Sequence, residues 1–114
     1  LQINIIAKHV DIPTEVREHI GERVEKLSRF YDRILEVEVI LGHESEQFTA
    51  EMIVHVERKH TFVASDSGPD TYALVDIITE KISRQLVKHK EKLKNHKHEG
   101  KLEIPPITEI SEES

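Results

Sequence analysis

Apolar residues recur along this chain with two periods, and the switches between them divide it into six elements. In QINIIAK (2–8), Ile3 and Ile5 share one face and Ile6 takes the other, the pattern of a buried strand. DIPTEVREHIGERVEKLSRFYD follows, where Val16, Ile20, Val24, Leu27 and Tyr31 step by three or four residues. This predicts an amphipathic helix of about four turns, with Thr14 as N-cap and Glu15 in the first turn. Gly21 weakens it slightly. ILEVEVIL then alternates, with Leu35, Val37, Val39 and Leu41 on one side and Glu36 and Glu38 on the other. FTAEMIVHVE sets Phe48, Ala50, Met52, Val54 and Val56 against Thr49, Glu51, His55 and Glu57. Both segments predict strands with one wet face. GHESEQ and ERKH read as turns, TFVAS as a short strand with Phe62 and Ala64 inward, and DSGPD as a break in which Asp70 caps a last helix.

The last helix is expected from about Thr71 to about His96. At about 100° per residue, Val75, Ile78, Ile82, Leu86, His89 and Leu93 fall in one stripe. The order is therefore β-α-β-β-β-α. Three consecutive antiparallel strands keep a wet face, and two helices cover the other. The expected fold is a two-layer α+β domain, a four-stranded sheet with both helices packed on one face. After Gly100 the periodicity stops. KLEIPPITEISEES has a Pro-Pro pair and four Glu, so a folded unit over 1–98 is expected to lead into a flexible acidic tail over 99–114.

Composition narrows the chemistry. A chain of 114 residues has room for one modest core. It has no cysteine, which removes disulfides, thiolate zinc sites and cysteine nucleophiles and suits a reducing cytoplasm. No apolar run approaches the ~20 residues of a membrane helix, and the N-terminus has no signal-peptide pattern. The expected location is cytoplasmic, with no membrane partner.

The net charge of −6 conceals an uneven distribution. Residues 81–98 hold seven of the 16 Lys and Arg and one of the 22 acids, leaving the remainder strongly acidic. Screening over about 8–10 Å lets a partner at this stretch sense mainly the local charge. Lys81, Arg84, Lys88 and Lys92 form a second stripe on the last helix, roughly 100–180° round from Val75 and about 16 Å long. Lys90, Lys94 and Lys97 lie on the opposite flank.

A basic run is ordinarily a solvated face, and positive charge near a helix C-terminus suits the macrodipole. A solvated face usually interleaves signs, however. This stripe carries no acid, and its i,i+4 cations repel one another. A phosphate backbone is the commonest polyanion that would relieve the repulsion. On the first helix, Arg23, Lys26 and Arg29 stand among Glu18, Glu22 and Glu25. If the helices pack side by side, Arg23 and Lys26 join the stripe and widen it.

Other chemistry finds little support. The eight His residues show no HExxH or similar spacing, and His89 and His96 lie about 10 Å apart along a helix, so no metal or other cofactor is expected. His89 reads as a boundary residue, and His55 and His60 as exposed sheet residues. There is no GxSxG, P-loop or GxGxxG. Asp66, Asp70 and Asp76 lie close in sequence, but Asp70 reads as the cap, and Asp76 with Tyr72 reads as an i,i+4 pair fixing the last helix to the sheet. No enzyme and no small-molecule substrate are expected.

DTYALVDIITEKISRQLVKHKEKLKNH resembles the last helix of the ribosome hibernation promoting factors and the related ribosome-associated inhibitor A. The Asp-x-Tyr-Ala-x-[Ile/Val]-Asp start and the Arg-Gln-Leu-x-Lys-His-Lys-x-Lys-Leu-Lys run carry most of the likeness. ERVEKLSRFYDRI is similar to the end of that family's first helix, and NIIAKHVDIPTEVREHI to its opening strand and helix start. The similarity covers about residues 2–96. It implies a fold like that of double-stranded-RNA-binding domains. It also implies binding to the small ribosomal subunit where mRNA and tRNA anticodon stems would lie, and inhibition of translation in stress or stationary phase. The rRNA-contacting positions it implies are Arg23, Lys26, Lys81, Arg84, Lys88, Lys90, Lys92 and Lys94. The alternative is a protein-binding modulator whose basic helix docks an acidic partner, in keeping with an older description of the family as sigma-factor modulators.

Overall fold

The computed structural model describes residues 1–99, with side chains to residue 94. The elements are β1 (Gln2–Lys8), α1 (Thr14–Phe30), β2 (Ile34–Glu44), β3 (Gln47–Val56), a 3-10 turn (Glu57–Lys59), β4 (His60–Gly68) and α2 (Thr71–Glu99). From residue 100 onward the expected acidic tail lies outside the described residues.

The strands form one sheet in the order β1-β2-β3-β4. β1 runs parallel to β2, with Ile3 opposite Val37 and Ile5 opposite Val39. A parallel pair needs a crossover, and α1 supplies it. β2, β3 and β4 are antiparallel neighbours. Both helices cover one face, as the alternation in β2 and β3 requires. Val16, Ile20, Val24, Leu27 and Tyr31 from α1 and its end meet Val37, Val39, Leu41, Met52 and Val54 from the sheet and Leu74, Val75, Ile78, Ile82 and Leu86 from α2. Each of these large side chains contributes about 1.5–3 kcal/mol by leaving water.

Five local expectations change. β1 reads as a buried strand in the sequence, but it lies at the edge of the sheet with Ile3 38% and Ile6 41% exposed, and only Ile5 packs, partly buried, against the core. Pro13, not Thr14, is the boundary of α1: its carbonyl accepts the N–H groups of Val16 (3.0 Å) and Arg17 (3.1 Å). Proline's fixed φ starts the helix one residue earlier. Leu35 was expected inward but is 53% exposed, because the β2–β3 register shifts between Ile34 and Glu36 and Ile34 takes the core position. β4 is longer than TFVAS: Asp66, Ser67 and Gly68 still pair with Ala50, Thr49 and Phe48, which confines the break to Pro69 and Asp70. Leu93 closes the predicted core stripe of α2 but is 41% exposed, since the helix runs past the sheet that would cover it. Asp70 caps α2 as expected, its Oδ1 accepting the Tyr72 N–H at 3.0 Å.

The turns are tight. Ser45 and Glu46 join β2 to β3 with φ of 52° and 66°, and Arg58 and Lys59 join β3 to β4 with φ of 70° and 63°. In the two-residue β2–β3 loop, positive φ at both residues suits the twist of a hairpin. In the three-residue β3–β4 loop, Arg58 and Lys59 follow Glu57 with positive φ, a conformation Gly and Asn adopt more cheaply.

Candidate nucleic-acid interface

Three sides of α2 are occupied, and this decides what each cation can do. The Val75–Leu86 stripe faces the sheet. A second flank lies on edge strand β4, where Lys81 Nζ donates to the Ser65 carbonyl (3.0 Å) and Gln85 Nε2 to the Val63 carbonyl (2.9 Å). These bonds cover edge carbonyls that would otherwise attract another strand. Lys81 also pairs with Asp66 at 3.4 Å. The Ser67 N–H, donating to Asp66 at 2.8 Å, holds that carboxyl below the usual range; slight burial opposes this and Lys81 adds to it.

The third flank meets α1. Asp76 Oδ1 accepts from Arg23 Nε at 2.7 Å and lies 2.7 Å from His19 Nε2. His19 is buried and stacks on Tyr72 with ring centroids 3.8 Å apart. Tyr72 and Asp76 thus fix α2 to α1, where the sequence suggested the sheet. His19 Nδ1 is buried without a hydrogen-bond partner.

The predicted cations therefore separate into groups. Arg84, Lys88 and Lys92 are exposed along the outward and β4-side surface of α2. Arg84 pairs with Glu80 at 3.1 Å across one exposed turn, which is worth little. Among the described residues Lys88 and Lys92 have no carboxylate partner. Arg23 and Lys26 do not join this row. They lie on the other flank and line a groove of about 520 Å³ with Phe30, Asp76, Thr79 and Ser83. Lys90 also faces α1: its ammonium lies 4.5 Å from the Phe30 ring centroid and 3.4 Å from the Phe30 carbonyl. Lys94 is exposed near the C-terminal end of the described side chains. The site is thus two rows of cations on either side of α2, the outer one open and the inner one braced by α1.

Near this end of α2, His89 sits against His60 (4.6 Å between centroids), Phe62 (5.2 Å) and Tyr31 (6.0 Å). Burial lowers the His89 pKa, and His60, Lys92 and Arg33 add to the effect through their positive charge. On the outer sheet face, Glu36, Glu38 and His55 bring one ligand atom each within 4.8 Å of the others. Cross-strand register creates this grouping, which local spacing did not reveal. Asn4 donates to Glu36 at 2.7 Å, and Thr61 lies 3.2 Å from His55 Nδ1, so both are held by neighbours.

Comparison with known proteins places this architecture. Residues 3–94 match the family described as Sigma 54 modulation protein / S30EA ribosomal protein. The chain is 38% identical over 96 residues to the ribosome hibernation promoting factor of Escherichia coli K12, covering 84% of this chain and 100% of that one. It is 36% identical over 92 residues to the factor of the same name from Azotobacter vinelandii, covering 81% and 85%. In structure it resembles a ribosomal subunit interface protein from Coxiella burnetii, with TM-score 0.74, 23% identity and coverage of 80% and 99%. It also resembles the N-terminal domain of Protein Y from Thermus thermophilus, with TM-score 0.70, 20% identity and coverage of 78% and 99%. The chain belongs to the Sigma 54 modulation protein / S30EA ribosomal protein family.

Proposed function

We propose that this chain is a ribosome hibernation factor that occupies the mRNA and tRNA channel of the small ribosomal subunit and holds off translation in stress or stationary phase. The observation that carries the reading is the open row on α2. Lys88 and Lys92 are exposed and, among the described residues, without a carboxylate partner, in a chain whose relatives bear that name. Ammonium groups set on phosphates release condensed counterions, so binding draws on solvent-ion entropy and weakens steeply with salt. Phe48 and Phe62 pack against the core and offer bases no stacking platform. Recognition then rests on shape and phosphates. Arg23 commits Nε to Asp76 and keeps its terminal nitrogens for a phosphate, while Lys81 acts mainly by holding α2 to β4. The action is occupancy in the cytoplasm: no bond is made or broken, and no cofactor or small-molecule substrate takes part.

Co-sedimentation with small subunits across a salt series tests this. The wild-type protein pellets at low salt and is released as salt rises. The Lys88→Glu/Lys92→Glu variant stays in the supernatant while its circular dichroism is unchanged. Equal binding by the two proteins would falsify the open row as the contact surface. A partner captured after nuclease treatment would favour docking to an acidic protein instead.

A further inference from the structure

The register brings together cations that lie far apart in sequence. Ile34 pairs with Val56 and Val56 with His60, so the start of β2, the end of β3 and the start of β4 share one end of the sheet. Arg33 directly precedes Ile34, and its carbonyl accepts the Glu57 N–H at 3.0 Å. Arg58 and Lys59 form the turn beside it. His60, next in the chain, packs on His89 of α2, which brings the C-terminal half of α2 to the same end. Arg33, Arg58 and Lys59 are all exposed. Among the described residues none of them has a carboxylate within salt-bridge distance, although Asp32 and Glu57 are their chain neighbours. The opposite end of the sheet carries Glu44 and Glu46 at the β2–β3 turn and has the reverse sign. The shifted titration of His89, to which Arg33 and Lys92 both contribute, agrees with positive charge converging here.

We propose that Arg33 and the Arg58–Lys59 turn continue the cationic surface of α2 round the end of the sheet and contact RNA phosphates that the helix does not reach. This rests on the ribosome-binding reading above. It adds an element that neither helix contains: the β3–β4 turn acts as a third prong gripping the RNA backbone. Cations at both the helix and the turn let the surface follow a curved backbone and fix the orientation of α2 on it. Phosphate contacts position a protein without reading sequence.

The test is the Arg58→Asn/Lys59→Asn variant of the full chain. Asparagine accepts positive φ readily, so the turn keeps its backbone while losing two charges. Binding to purified small subunits is measured as a function of salt for wild type, this variant and Lys88→Glu/Lys92→Glu. Loss of two phosphate contacts lowers affinity by about 10- to 100-fold near 0.1 M salt and flattens the log–log salt slope by about 1–2. The charge-preserving Arg58→Lys/Lys59→Arg variant is expected to bind like wild type. If Lys88→Glu/Lys92→Glu abolishes binding while the asparagine variant keeps wild-type affinity and slope, the turn makes no contact. The inference then fails and the ribosome-binding reading stands. If wild type does not bind small subunits at all, both fail together.

Discussion

Asp76 receives Arg23 Nε on one oxygen, and His19 lies at 2.7 Å from the same atom, so one carboxylate joins the two helices at a half-buried junction. Replacing it with alanine leaves His19 with both ring nitrogens unpaired and releases the Arg23 guanidinium. The expected loss is about 1–2 kcal/mol by urea denaturation. Arg23→Ala added to Asp76→Ala is expected to cost less than the two single changes summed, because they share a bond. His89 gives a pH signature. Its folded-state pKa lies below the ordinary 6.5, chiefly through burial. Between those two values the unfolded chain binds a proton that the folded chain refuses. Its contribution to stability is therefore complete above about 6.5 and is lost as pH falls through the folded value. The urea midpoint should drop between pH 7 and pH 5, and the drop should be smaller in His89→Gln. The sequence showed Tyr72 and Asp76 as an i,i+4 pair and marked His89 as a boundary residue. It did not show His19 or Arg23 as their partners, because those meetings depend on how two helices distant in sequence are packed.

At the scale of elements, periodicity located all four strands and both helices, because burial on one face imposes a period that single residues cannot hide. Register was less legible. A bulge moved Leu35 outward and Ile34 inward, and pairing carried β4 through Gly68. The helical wheel found the row Lys81–Lys92 but not the neighbour on each side of it. α1 lies across α2 from that row, so Arg23 and Lys26 form a separate inner row, and β4 takes Lys81. α2 also has two energetic halves. Leu86 is fully buried and Leu93 is 41% exposed. Leu86→Ala should destabilise the domain by about 2–5 kcal/mol. Leu93→Ala should remain within about 0.5–1 kcal/mol of wild type, even though the sequence puts both residues on one stripe. Thermal or urea unfolding of the two variants separates these outcomes.

For the whole molecule, the strand register and the direction of α2 collect positive charge at one end, while the remainder of the chain is acidic. A polyanion approaching this protein meets an oriented charge distribution, which steers encounter and fixes the bound pose. Raising salt should therefore slow association more than it speeds release, a difference that stopped-flow mixing with small subunits can resolve. The most direct measurement is a cryo-electron-microscopy reconstruction of the protein bound to small ribosomal subunits. The expected density lies in the mRNA and tRNA channel, with α2 along rRNA phosphates and Lys88 and Lys92 in contact with them. Density outside that channel, or a pose that turns the outer sheet face to the RNA and leaves those two lysines in solvent, would contradict the account.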